Sequence, residues 1–237
     1  MRELVLPACN YFGEGSINSL SQVVSRFSGK KGLIITDGTL YKLGYADQIS
    51  DILSKDGIDS VVYSGVCPNP TKENVYEALK VYKENRCDFI VGLGGGSPND
   101  CSKAVGILTT NGGKIEDYAG GNKSKNPSCP LITINTTAGT ASEVSRAYLI
   151  SDEEKQEKII TKDLHALPYA SFNDPMLMIG LPASVTAMTG MDALSHAVES
   201  YVANGAYVLS RELALGACRL VFSSLREVLK EPKSIEL

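Results

Sequence analysis

The chain has 237 residues, 43% hydrophobic and 21% charged, with 23 basic side chains against 27 acidic ones and a net charge of −4. These proportions exclude a disordered tail, a collagen-like chain and a coiled coil. The negative balance gives no electrostatic basis for nucleic acid as the main partner, and no apolar run approaches the roughly 18 residues needed to span a membrane.

Taken in chain order, Met1-Arg2-Glu3-Leu4 brings in an acid at once and Pro7 follows closely, unlike a signal peptide, so a cytoplasmic location is expected. Gly32-Leu33-Ile34-Ile35-Thr36 is a short apolar run ending in Asp37-Gly38, and a helix is expected from about Thr39 to Lys55. Asp59-Ser60-Val61-Val62-Tyr63 reads as a second strand. Thr71 is positioned as a helix N-cap, with Asn74 rather than Glu three residues later, so an incomplete capping box is expected. The helix from Lys72 to about Glu84 then places Val75, Leu79 and Tyr82 on one face. Asp88 to Val91 and Leu131 to Ile134 supply two more strands, with a helical run from Cys101 to Leu108 between them. Residues 111–130, rich in Gly, Asn, Lys, Ser and Pro, read as a surface loop. Tyr148-Leu149-Ile150 and Lys158-Ile159-Ile160 read as two short strands around the charged turn at 152–155. Strands alternating with helices give an α/β fold with a mostly parallel, Rossmann-like sheet. From Ala183 onward the pattern is helical without a strand candidate, so the chain divides near Leu181 into 1–181 and 182–237. The six cysteines are scattered without a Cys-x-x-Cys pair and read as reduced, mostly buried thiols.

Three motifs carry chemistry. Gly92 to Asp100 lies between an apolar strand and a helix, where Gly94, Gly95 and Gly96 let the backbone approach a ligand and the helix N-terminus offers free N–H groups. Pyrophosphate suits that arrangement, although Ser97 stands where the dinucleotide fingerprint has its third glycine; a tight structural turn is the other reading. Thr136 to Glu143 places small hydroxyl residues around Gly139, a cradle for phosphate or ribose oxygens or a plain structural loop. In Thr189 to Glu199, Asp192 and His196 are four apart, on one face of a helix whose small and apolar neighbours imply burial. Such a pair can fill two positions on a divalent metal, or form a hydrogen-bonded link to a neighbouring element.

In this order, Gly94 to Asp100, Thr136 to Glu143, Asn173-Asp174-Pro175 and Thr189 to Glu199, with Asn69-Pro70, the chain resembles the iron-containing (group III) alcohol dehydrogenases, from its N-terminus to about Tyr201. The resemblance implies a dinucleotide-binding α/β domain followed by an all-helical metal-binding domain, the dehydroquinate synthase-like architecture. It implies that Asp37 holds the adenosine ribose and favours NAD over NADP, since a carboxylate accepts from a 2′-hydroxyl and repels a 2′-phosphate. Gly95, Gly96, Ser97 and Asp100 match the pyrophosphate region; Thr136, Thr137, Thr140 and Ser142 match the second cradle, where Ala141 replaces the more usual glycine. Lys158 resembles the lysine near the nicotinamide ribose. Asp192 and His196 match two of four ligands to a catalytic ferrous ion, with zinc as the alternative metal. The activity implied is metal-assisted hydride transfer between a small alcohol or aldehyde and NAD.

The family draws two further histidine ligands from later helices, and no histidine follows His196 here. His165 reads as a solvated or locally bonded side chain. The expectation is an incomplete metal-binding domain, with the apolar tail from Leu213 to Leu229 exposed and prone to self-association as a homo-oligomer. Two further readings stand beside the dehydrogenase: an NAD(H)-binding chain without catalysis, and a relative of glycerol dehydrogenase or dehydroquinate synthase.

Overall fold

The computed structural model describes residues 3–234. A six-stranded parallel sheet is built from β1 (Cys9–Phe12), β2 (Lys31–Asp37), β3 (Asp59–Val66), β4 (Phe89–Gly94), β6 (Leu131–Asn135) and β9 (Ala170–Asn173), in the order β1-β9-β6-β4-β2-β3. A second, three-stranded sheet holds β5 (Gly120–Gly121), β8 (Glu157–Lys162) and β7 (Ala147–Asp152), in which β7 and β8 form an antiparallel hairpin. The helices are α1 (Leu20–Ser25), α2 (Gly38–Lys42), α3 (Tyr45–Ser54), α4 (Lys72–Glu84), α5 (Gly96–Asn111), α6 (Ala183–Val202) and α7 (Val208–Lys230). Among the described residues no helix is long and apolar enough to cross a membrane.

The central strands are apolar on both faces because helices cover both sides of a parallel sheet. Every residue of β4 and β6 is buried, as is Leu33 to Thr36 in β2. β1 and β9, which the sequence pattern does not single out, are four residues each and join the edge through the register Cys9↔Ala170 to Phe12↔Asn173. Stacking of Tyr11 on Phe172, with ring centroids 4.7 Å apart, fastens that edge.

Several local expectations are corrected. The helix expected over Thr39–Lys55 is two helices, interrupted at Leu43-Gly44, where Gly44 has φ 81°. The capping box of α4 is complete: the Thr71 hydroxyl accepts from the Asn74 N–H, and Asn74 Oδ1 accepts from the Thr71 N–H at 3.2 Å. Asn thus does what Glu or Gln usually does, and the same Oδ1 also accepts from the Cys67 N–H. The helix expected from Cys101 begins at Gly96, so the second half of the glycine-rich motif is helical. The segment 111–130 contains a 3-10 turn over Ile115–Tyr118 as well as β5. All six cysteines are free; Cys87, Cys101 and Cys129 are buried, and the other three are partly exposed.

By contact density the chain forms two compact units. One, the α/β unit, comprises residues 6–135 and 142–174; the other comprises residues 1–5, 136–141 and 175–237. The second is chiefly the antiparallel pair α6 and α7. Gly190 lies at their crossing, where an added Cβ would come within 2.5 Å of Leu225 Cδ1. Along the same helices Val202, Val208, Leu213, Leu220 and Phe222 are exposed.

Candidate functional site

The chain leaves β2 for β3 on one side and crosses back to β4 on the other, so the strand order reverses between β2 and β4. In open parallel sheets, ligands bind outside the carboxyl ends of the strands at such a reversal. Asp37 ends β2 and Gly94 ends β4, so two of the sequence's candidate segments meet at this edge.

Gly94 has φ 148°, and a Cβ there would fall 2.6 Å from Pro98 Cγ. This turn delivers the chain into α5 with Gly95 as its N-cap and Gly96 as its first residue. The first N–H groups of a helix have no partner within it, so Gly96 and Ser97 present donors at the positive end of a 16-residue dipole. Gly96, Ser97, Asp100 and Lys158 line one cavity of about 160 Å³ with Asn69, Pro70, Leu149 and Ser151. Asn69 ties its rim together from a left-handed conformation (φ 58°). Its N–H donates to Ser97 Oγ at 3.3 Å, and its Oδ1 accepts from Lys158 Nζ at 3.0 Å. The glycine turn and the lysine of β8 are thereby held on opposite sides of one opening.

Asp37 lies outside the lining of that cavity. It caps α2, its Oδ1 accepting from the N–H groups of Thr39 (2.8 Å) and Leu40 (3.0 Å). Both donors use the same oxygen, so the carboxylate is held in a fixed orientation at the end of β2.

Asp100 and Ser142 are joined to each other. The Ser142 hydroxyl donates to Asp100 Oδ1 at 2.6 Å, and Asp100 Oδ2 accepts from the Leu149 N–H at 3.0 Å. Beneath them lies Lys103, which the sequence reading passed over. Its side chain is fully buried, and Nζ donates to Ser142 Oγ (2.8 Å) and to the Ala147 carbonyl (2.7 Å) while standing 3.6 Å from Asp100 Oδ1. Desolvation lowers its pKa to about 8, against the opposing pull of Asp100 and Glu143. The signal was a single charge, three residues after Asp100, in the small and apolar run Cys101 to Leu108. Burial also raises the pKa of the Glu143 carboxyl.

Thr136, Thr137 and Thr140 belong to the segment that packs with the helical unit, whereas Ser142 belongs to the α/β unit. Within the helical unit, Gly139 approaches α6 so closely that a Cβ would lie 2.8 Å from the Thr189 carbonyl oxygen. Ala141 occupies the left-handed region, φ 50°. A Cβ costs about 1 kcal/mol or more in that conformation. Ala141→Gly is accordingly expected to raise stability by up to about 1 kcal/mol. Urea denaturation checks this, and an unchanged or lowered midpoint refutes it.

Asp192 and His196 lie on α6 with Oδ1 and Nε2 3.8 Å apart. Their side chains are 41% and 51% exposed, which corrects the expected burial: around them only Gly190 and Ala197 of α6 are buried. Two donors each about 2.0–2.2 Å from one ion span a tetrahedral edge of about 3.4 Å, which a small side-chain rotation reaches from 3.8 Å. The pair therefore fits two positions on a divalent metal. No cluster of three or more His, Cys, Asp or Glu suited to a metal occurs among the described residues. His165 is locally bonded, its Nδ1 2.8 Å from Ser124 Oγ.

Comparison with known proteins identifies the family. Residues 7–175 match the family model described as iron-containing alcohol dehydrogenase, and residues 186–237 match the C-terminal model of the same family. The chain is 43% identical over 231 residues to alcohol dehydrogenase 4 of Schizosaccharomyces pombe, an alignment covering 98% of this chain and 55% of that protein. A crystal structure of 1,3-propanediol oxidoreductase superposes with a TM-score of 0.97 at 40% identity, covering all of this chain and 62% of that one. Sulfoacetaldehyde reductase from Bifidobacterium kashiwanohense, solved in complex with NAD+, superposes with a TM-score of 0.92 at 29% identity, with coverage of 100% and 62%. The chain thus spans somewhat more than half the length of these relatives. By its matched residues, its fold and the glycine turn at the strand reversal, this chain belongs to the iron-containing alcohol dehydrogenase family.

Proposed function

We propose that this chain binds NAD(H) through its α/β unit and contributes Asp192 and His196 to a divalent-metal site, as part of an NAD-dependent alcohol dehydrogenase acting on a small alcohol or aldehyde. The observation that carries the reading is the joint placement of Asp37 and the Gly94–Gly96 turn at the β2/β4 reversal, in a chain of this family.

In this reading the N–H groups of Gly96 and Ser97 receive the pyrophosphate, where the α5 dipole favours negative charge. Asp37 accepts from the adenosine ribose, its orientation held by the two N–H donors of α2. Lys158, steadied by Asn69, reaches toward the nicotinamide ribose. Ser142 contributes a further hydroxyl from the same unit, while Thr136, Thr137 and Thr140 belong to the helical unit. Residues 186–237, which match the family's C-terminal model, belong to the metal-binding part. A bound ferrous ion, or zinc, supplies Lewis-acid polarisation of the substrate oxygen. The protein's part is to position the reacting groups and to exclude water.

Asp37→Ser tests the cofactor assignment. With the carboxylate gone, NADPH affinity should rise and NADH affinity fall, each by about tenfold for one lost or relieved charge-assisted contact. Fluorescence titration with both dinucleotides measures this, and an unchanged preference would remove Asp37 from the ribose site.

A second reading is favoured by the metal donors themselves. With only the exposed Asp192–His196 pair at hand among the described residues, the 237-residue chain would grip NAD(H) and hold metal weakly, without turnover. Stoichiometric iron together with alcohol oxidation by this chain would exclude it.

A further inference from the structure

The dipeptide Asn-Gly occurs twice in the chain, at Asn111-Gly112 and at Asn204-Gly205, and the fold treats the two in opposite ways. The pair has a chemistry of its own. With no side chain to crowd it, the glycine nitrogen can reach the carbonyl carbon of the preceding asparagine side chain and displace its amide. We propose that Asn204 is a site of spontaneous deamidation in the folded protein, and that the fold protects Asn111 from the same reaction.

Asn204 and Gly205 lie in the connection 203–207 between α6 and α7, and both are exposed. The turn they occupy is closed by one bond, from the Ala206 N–H to the Ala203 carbonyl at 2.9 Å. That bond uses neither the Asn204 side chain nor the Gly205 N–H. Among the described residues these two groups meet no hydrogen-bonding partner within the protein. The attacking nitrogen and the carbon it attacks are both open to water, and a single turn restrains their approach.

Asn111 presents the reverse. It is the last residue of α5, where helical backbone directs the next nitrogen away from the side chain. The Gly112 N–H is engaged as well, donating to the Leu108 carbonyl at 3.1 Å. Asn111 Oδ1 accepts from the N–H groups of Lys125 and Asn126, each at 2.8 Å. Its Nδ2 donates to the carbonyls of Ile107 (3.1 Å) and Asn126 (2.9 Å). Reaction there has to open the end of α5 and release the loop at 125–126 together.

The step balances without an oxidant or a cofactor. The Gly205 nitrogen loses its proton and bonds to Asn204 Cγ, the Cγ–Nδ2 bond breaks, and the amide nitrogen leaves with that proton as ammonia. Water then opens the resulting five-membered ring at either carbonyl, leaving aspartate or isoaspartate at position 204. One water is consumed and one ammonia released. Because the nitrogen must shed a proton to attack, the rate rises with pH. The product carries one more negative charge than the −4 of the unmodified chain. In its isoaspartate form it also lengthens the backbone of the short α6–α7 connection.

The test is prolonged incubation of the 237-residue chain at neutral and at alkaline pH. Mass spectrometry of the peptides that carry positions 111 and 204 follows the reaction, and isoaspartyl methyltransferase reads the isoaspartate. Conversion at Asn204 should be at least about tenfold faster than at Asn111, a ratio equivalent to roughly 1.4 kcal/mol and within what the hydrogen bonds holding Asn111 and Gly112 supply. It should accelerate as pH rises. In urea beyond the unfolding transition the two rates should converge, because the dipeptide is the same and the protection is gone. Gly205→Ala, in an exposed turn, should slow conversion at position 204 several-fold and leave Asn111 unchanged, with circular dichroism confirming its fold. Similar rates at the two sites in the folded chain, or no conversion at Asn204, would overturn the inference. A difference that persists in urea would overturn it too, since local sequence rather than the fold would then set the rates, and so would an unchanged rate in Gly205→Ala.

Discussion

Gly94→Ala is expected to abolish measurable NADH binding and to destabilise the α/β unit by about 2–6 kcal/mol, the sum of a strained backbone conformation and an overpacked contact. The two costs have separate origins. At φ 148° a side-chain-bearing residue is strained whatever space surrounds it, and here the new Cβ also falls 2.6 Å from Pro98 Cγ and 3.3 Å from Leu40 Cδ1. Pro98 is in the first turn of α5, so relief comes by moving that turn, and with it the N–H groups of Gly96 and Ser97. A shift of about 1 Å is enough to spoil hydrogen bonds with an optimum near 2.9 Å. Fluorescence titration with NADH and a urea denaturation curve measure the two effects. Near-native affinity in Gly94→Ala would mean that the pyrophosphate does not sit on this turn.

Under the proposed dehydrogenase reading, His196→Ala in the active enzyme should remove the divalent metal and lower alcohol oxidation by about a thousand-fold or more, the several kcal/mol that a Lewis-acid ion contributes to the barrier. NADH binding should be unchanged, because the residues assigned to the dinucleotide lie elsewhere in the chain. Asp192→Ala should behave alike, since its carboxylate and the imidazole form one pair 3.8 Å apart on one helix face. Folding should be unaffected: both side chains are about half exposed, and an exposed pair contributes little to stability. Metal content measured alongside turnover and NADH affinity separates this from general damage. Full metal occupancy in His196→Ala would take the residue out of the metal site.

The contrast between Asp192–His196 and Asp100–Lys103 shows where spacing in a sequence is informative. Both are charged pairs on one helix face, separated by four and by three residues. The first was readable because two metal-ligating side chains one turn apart have a recognised chemistry. The second was not, because its meaning depends on Ser142, Ala147 and Leu149, which lie 39 or more positions further along the chain. The same holds for the capping box of α4, where Asn74 closes the box and also binds the Cys67 N–H.

Composition and periodicity were enough to place the buried parallel strands, the β7–β8 hairpin, the helical character after Leu181 and the glycine turn that starts α5. Those features are set by interactions within a few residues, such as alternation, apolar runs, N-caps and the freedom of glycine. The family followed from motifs in a fixed order. Only the folded chain decided that β1 and β9 join the sheet, since strands of four residues carry little pattern of their own and the edge strand β1 is held by β9, more than 150 positions away. Only the folded chain placed Asp37 beside Gly94 at the strand reversal, gave Ala141 its left-handed backbone, exposed Asp192 and His196, and buried Lys103 against Asp100. Each of these depends on which distant groups share a boundary between protein and water, and that boundary exists only once the chain has folded.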